Sequence, residues 1–206
     1  TRKEKIHPYL ELAKLADLKV VLVDVHHYAL ERAINSLLMP EDAQRSVALL
    51  NIDSALLTMI VYEKEEMLFA HDLNFDSSAL RTATTAESMV SSMTETEEVS
   101  EDGVATIVKR ATASPLKVAL APSLRHMMQH FNSRCHDKKI DKIILAGDFA
   151  NLPGLCAYIH SELGVVAELA DPFKDKKAAT WLDQNQLHEH AAQFVLCCGL
   201  ATSQLN

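Results

Sequence analysis

The stretch Leu49–Leu73, LLNIDSALLTMIVYEKEEMLFAHDL, decides the fold. Its apolar, β-branched residues fall in three short runs separated by turn-forming residues. Ser46–Ile52 reads as a strand, Asp53-Ser54-Ala55 as a tight turn and Leu56–Tyr62 as a second strand. Glu63–Glu66 is a charged turn and Met67–Leu73 a third strand, so the region is an antiparallel meander.

The next strong signal downstream is Lys142–Ala146 (KIILA), short and wholly apolar after its first residue, as a strand buried on both faces should be. A turn, Gly147–Gly154, follows it. Leu155–Leu163 then has helical spacing, Gly164 is placed to cap that helix, and Val165–Leu169 is a short strand. Strands led into helices and back define an α/β protein.

Upstream, Ile6–Leu18 reads as a helix, Lys19–Val25 (KVVLVDV) as a strand buried on both faces, and His26–Leu38 as a second helix ended by Met39-Pro40. Asp24 is placed either to cap that second helix or to face a cleft. Pro115 and Pro122 flank or open a helix running to about Asn132, with Pro122 expected in its first turn. The last helix, near His190–Thr202, is rich in Ala, Cys and Gly, which suits close approach to a neighbouring backbone.

Composition narrows the function. A formal charge of −8 argues against a nucleic-acid surface, which needs clustered Lys and Arg. The acid is concentrated: no basic residue stands between Arg81 and Lys109, where the Ser/Thr-rich segment around Thr94–Asp102 reads as a solvated loop or marginal helix. The four cysteines form no CxxC pair and suggest no disulfide framework, which fits a reduced compartment. The opening at Thr1, directly before a helical pattern, reads as a start inside a larger protein.

Rival chemistries are weakly supported. His126 and His130 stand four apart on one helix face, a spacing that suits a shared metal, but no zincin-type carboxylate follows. They read as surface or partly buried histidines. His26 and His27 are adjacent and expected to point apart, and His188 and His190 to diverge. Cys156 reads as a small buried cysteine. No GxSxG elbow or GxxxxGK[ST] loop is present.

Five segments in order resemble the PilM family of the actin-like ATPase superfamily. They are VVLVDVHHYALERA (20–33), the meander at 49–73, IDKIILAGDFANLPGLCAYIHSELGV (140–165), ADPF (170–173) and QFVLCCGLA (193–201). The resemblance implies an actin-like, RNase H-like mixed sheet with flanking helices and an incomplete first lobe. Residues 1–45 would end the first lobe. Residues 46–206 would form the second, with an inserted smaller subdomain at about 76–135. The first phosphate hairpin and the small subdomain of the pilus and cell-division branch would be lacking.

The resemblance also assigns nucleotide-facing positions, and there this sequence departs from the family. The second phosphate hairpin usually reads Asp-Ile-Gly-Ala; here it is Asn51-Ile52-Asp53-Ser54, with Thr58 kept. A carboxylate about 4 Å from a phosphate, at an effective dielectric near 20, costs on the order of several kcal/mol. Bound Mg²⁺ would reverse that sign, with Asp53 as its ligand. Gly147-Asp148 stands where Gly-Gly is usual, and Asp17 where a helix-ending glycine is frequent.

The implied function is a cytoplasmic scaffold at the inner-membrane face, in the type IV pilus assembly platform, with ATP and Mg²⁺ binding weak or lost. Its implied partner is the cytoplasmic tail of a PilN-like inner-membrane protein, with pilus assembly ATPases as further candidates. The alternatives are a working Mg-ATP-binding switch, with Asp53 and Thr58 near metal and phosphates, and an adaptor of a related type II secretion or mannose-sensitive pilus system. The sequence names no catalytic residue and no base for ATP hydrolysis.

Overall fold

The computed structural model describes residues 3–74, 76–78, 115–174, 176, 179 and 181–204. Three strands, β1 (Val47–Ile52), β2 (Leu56–Glu63) and β3 (Glu66–Asn74), form the expected meander. β4 (Lys142–Ala146) and β5 (Val166–Leu169) complete a five-stranded sheet of order β3-β2-β1-β4-β5. β1 pairs antiparallel with β2 but parallel with β4, and β4 parallel with β5. The central strands β1 and β4 are buried along their whole length, whereas the edge strand β5 is largely exposed. The β1–β4 register is pinned at its start by two bonds: the Asp141 N–H donates to the Ser46 carbonyl and the Ser46 N–H to Asp141 Oδ2, both 2.9 Å.

The helices are α1 (Lys3–Leu15), α2 (His26–Leu37), α3 (Pro115–Arg134), α4 (Leu155–Leu163), α5 (Gln184–Glu189) and α6 (Val195–Ala201). Strand alternation sorts them onto two faces. On β3, Phe69 packs edge-on against Phe131 of α3, with ring centroids 5.5 Å apart, and His71 stacks on His130 of the same helix. Asp72 points the other way, toward Thr58 of β2 and His27 of α2. So α3 covers one face, joined there by α4, and α2 covers the other, joined by α6.

α2 and α6 meet backbone to backbone. A Cβ on Gly199 would fall 1.8 Å from the Ala29 carbonyl oxygen, so the glycine is what lets the two backbones meet. This bears out the reading of the small-residue helix, although residues 191–204 divide into 3₁₀, α and 3₁₀ turns rather than one α-helix.

At the start of β4, Lys142 is buried and its Nζ lies 2.9 Å from Asp42 Oδ2 and 2.8 Å from Glu168 Oε1. Asp42 sits in a 3₁₀ turn, Pro40–Asp42, where its carboxylate also accepts the Met39 N–H. A buried ammonium is tolerable because two carboxylates surround it.

Three expectations need correction. Lys19–Val25 is not a strand, and Val20, Val21, Leu22, Val23 and Val25 are all exposed. No strand among the described residues runs beside this segment, and an apolar β-branched run without a ladder partner has nothing to hydrogen-bond or bury against. α1 likewise buries no residue. Second, Asp24 does not cap α2: the N-cap is Val25, and Asp24 instead pairs with Arg32, whose Nε also donates to the Gly199 carbonyl at 3.0 Å. Third, the long helix opens at Pro115 and Pro122 lies in its interior. Proline there forfeits a helical hydrogen bond, but Leu120 and Leu124 on either side are buried in the core and carry the helix through. The acidic segment and most of the expected inserted subdomain lie outside the described residues. Its last part, α3, packs on the main core through Leu120, Leu124, Met127 and Phe131.

Candidate functional site

Two bends meet at the carboxyl ends of the parallel strands β1 and β4, the end of an open α/β sheet at which ligands usually bind. The first is the turn at Asp53, the second the turn at Gly147. Gly147 has φ 94°, and a Cβ there would lie 2.7 Å from the Ile52 carbonyl oxygen and 2.8 Å from Asp53 Oδ1. The Phe149 N–H donates to that same Ile52 carbonyl at 3.1 Å, and the Gly147 N–H to the Ala192 carbonyl at 2.9 Å. Glycine at 147 is therefore required twice, by its positive φ and by the contact.

The Asp53 turn is closed internally. Its N–H donates to the Leu56 carbonyl at 3.0 Å, and its Oδ2 accepts from Asn51 Nδ2 at 2.8 Å. Asn51 is buried, so this bond satisfies an amide that would otherwise be costly to bury. Ser54 is exposed, and its carbonyl accepts the Ser77 hydroxyl at 2.7 Å. Asp148 is exposed beside Gly147.

Thr58, fully buried on β2, sits opposite Asn51 in the ladder. Its hydroxyl donates to Asp72 Oδ1 at 2.8 Å and lies 3.3 Å from His26 Nε2. With the hydroxyl proton given to Asp72, the Nε2–H tautomer of His26 satisfies the remaining contact. Burial lowers the His26 pKa, against the pull of Asp72 and Asp53, which raise it. His27 Nε2 lies 3.0 Å from Asp72 Oδ1. The adjacent histidines therefore converge on one Thr58–Asp72 pair, their ring planes 81° apart, rather than pointing away from each other. The first turn of α2 abuts the strand ends there, so both side chains reach inward. Of the five residues expected at the site, Asp53, Thr58 and Gly147 are brought together, and Ser54 and Asp148 stand at its exposed rim. His26, His27 and Asp72 were not anticipated; their signal is the pair of polar residues opening a helix before a buried threonine.

The donor set does not fit a phosphate group by itself. The backbone N–H of Asp53 is spent on closing the turn, and the nearby carboxylates Asp53 and Asp72 repel anions. Asp53, Asp72 and Thr58 are oxygen donors of the kind a hard cation takes.

The sequence matches the family model of the type IV pilus assembly protein PilM over residues 1–205. The chain belongs to the PilM family. In structure it is similar to a chain of a PilM-PilN type IV pilus biogenesis complex, with a TM-score of 0.68 at 19% identity, covering 100% of this chain and 59% of that one. It is also similar to the ethanolamine utilization protein EutJ from Carboxydothermus hydrogenoformans, with a TM-score of 0.55 at 12% identity, covering 98% and 61%. A third neighbour is MreB5 of Spiroplasma citri bound to ADP, with a TM-score of 0.54 at 7% identity, covering 100% and 66%. The expected actin-like fold is thereby borne out, and this PilM-family chain spans between 59% and 66% of these relatives' lengths.

Two other candidates, His188 and Cys156, are structural. His188 Nδ1 bonds Asp171 Oδ2 at 2.8 Å and so holds the ADPF turn against α5. Burial pushes the Cys156 thiol up, which makes it a poor nucleophile. No helix among the described residues is long and apolar enough to cross a membrane.

Proposed function

We propose that this PilM-family chain is part of a cytoplasmic scaffold in the type IV pilus inner-membrane assembly platform, and that its nucleotide site is degenerate. In this reading residues 1–45 end the first actin-like lobe and 46–206 form the second, with the inserted subdomain at about 76–135. α2, at the end of the first part, packs on α6 and β2 of the second. The partner is the cytoplasmic tail of a PilN-like inner-membrane protein, which holds the scaffold at the membrane face; pilus assembly ATPases are further partners.

The observation that carries the degenerate site is the Asp53 turn. Its N–H is committed to Leu56, its carboxylate is clasped by Asn51, and it presents negative charge where a phosphate would sit. A thermal-shift titration of the full-length protein with Mg-ATP tests this. No shift at sub-millimolar ATP is expected, and a rise of several degrees overturns it in favour of an ATP-gated switch. Binding of a synthetic PilN-like tail peptide to the full-length protein tests the partner separately.

A second reading, a Mg-ATP switch, is favoured by one feature: Asp53, bonded to Asn51, and the Thr58–Asp72 pair, with Thr58 opposite Asn51 in the ladder, supply hard oxygen donors on neighbouring strands. The titration separates the two.

A further inference from the structure

On the face of the sheet away from the Asp53 cleft, three imidazoles gather: His71 on β3, and His126 and His130 one turn apart on α3. Each offers a ring nitrogen, and these nitrogens all lie within 4.8 Å of one another. The rings of His71 and His130 are stacked with centroids 4.4 Å apart, and those of His126 and His130 are 4.7 Å apart. Stacking alone leaves the cluster unsatisfied, because His71 Nε2 is buried and has no hydrogen-bond partner. The buried His71 ring nitrogen without a partner is costly, and an electron-pair acceptor shared with the neighbouring His126 and His130 would resolve it.

We propose that His71, His126 and His130 bind a divalent transition-metal ion, Zn²⁺ or a metal of like preference. Neutral imidazole suits Zn²⁺, and a His-x₃-His pair on a helix with a third histidine from a strand is a three-ligand set that leaves one position for water. Tetrahedral Zn–N bonds of about 2.0–2.1 Å need nitrogens roughly 3.3 Å apart. From a spacing of up to 4.8 Å, the nitrogens would have to close by up to about 1.5 Å to hold the ion. The Phe69–Phe131 contact, two residues before His71 and one after His130, fixes β3 against α3 at the separation the site needs. His126 is exposed and His130 is partly so, which gives an ion an entry path. The bound ion would clamp α3 to the edge strand and leave the opposite, cleft-facing side of the sheet unaltered.

Titration of the full chain with Co²⁺ and then Zn²⁺ tests this, read by the visible absorption of tetrahedral Co²⁺ and by calorimetry. One equivalent is expected to bind, with a dissociation constant on the order of micromolar or below, and Zn²⁺ is expected to displace Co²⁺. His126→Ala and His130→Gln should each weaken binding by roughly a hundredfold. His188→Ala, whose ring bonds Asp171 and is not part of the cluster, should leave it unchanged. Because His71 borders the core, His71→Gln is preferred to alanine there, and far-UV circular dichroism of each metal-free variant establishes that it is folded. Absence of saturable one-to-one binding overturns the proposal. So does unchanged affinity in a folded His126→Ala/His130→Gln variant.

Discussion

The carboxylate of Asp53 accepts the side-chain amide of Asn51 across 2.8 Å, so the charged residue of the turn and the buried amide of β1 are bonded to each other. The negative charge at 53 needs a donor, and the amide at 51 supplies it. Asn51→Asp breaks this pairing and sets two carboxylates side by side in a buried position. The expected cost is about 2–3 kcal/mol at neutral pH by urea unfolding. Millimolar Mg²⁺ should recover part of it if Asp53 lies where a hard cation binds. No recovery would argue against a cation at this bend.

Lys142 and Asp42 make stability depend on pH at both ends. Burial alone would raise the Asp42 pKa, but Lys142, the Met39 N–H and Arg45 outweigh it and the net shift is downward. A depressed carboxyl stabilises above its unfolded value, near 4, and that stabilisation is lost as pH falls through the folded value. Burial alone would lower the Lys142 pKa, but Glu168 and Asp42 outweigh it and the net shift is upward. That contribution is complete below the unfolded value, about 10.4, and is lost as pH rises through the folded one. Lys142→Met leaves Asp42 buried with its main partner gone and should cost about 3–5 kcal/mol. Lys142→Met/Asp42→Leu should recover most of this and flatten the acid limb, as followed by denaturant midpoints across pH.

Gly199→Ala should be among the most damaging single substitutions, at least about 3 kcal/mol, because the new methyl meets the Ala29 carbonyl oxygen. The clash is with backbone, so Ala29→Gly in the same chain should not rescue it. Rescue would mean that α2 and α6 are held apart by side chains instead. Thermal unfolding of the single and double variants decides between these.

The turn between β2 and β3 carries its strain openly. Lys64 and Glu65 have φ of 53° and 65°, left-handed values that a two-residue hairpin turn of this type demands and that side chains with a Cβ resist. Lys64→Asn with Glu65→Gly should raise stability by about 1–2 kcal/mol, read as a higher urea midpoint with an unchanged slope.

The sheet was legible because its strands are short, apolar and separated by turn residues, so the meander and the β4–α4–β5 unit follow from spacing within each segment. The Leu155–Leu163 helix and the Gly164 cap at φ 69° fall where read. α5 is announced by Asp183, whose carboxylate accepts the Asn185 and Gln186 N–H groups. Lys19–Val25 was misread because apolarity records what a segment is able to bury, whereas pairing depends on a neighbour far away in the chain. The site was half legible for the same reason. Asp53 and Gly147 lie on local turns, but His26, His27 and Asp72 meet only when α2, β2 and β3 are assembled. The histidine cluster was discounted since His71, its third member, sits 55 residues before His126.

β1 takes one neighbour from its own hairpin and the other, β4, from about 95 residues further along, Val47 lying beside Lys142. The two halves of the sheet therefore assemble under different rules. The hairpin side closes loops of a few residues and should form first, while the parallel side must wait for a long-range encounter whose entropy is lost before any contact rewards it. Refolding should accordingly be limited by the zipping of β4 onto β1. Because the closure penalty grows only with the logarithm of length, doubling a flexible loop within the intervening chain should cost about 0.6 kcal/mol, so loop insertions there should come at little expense to the native state.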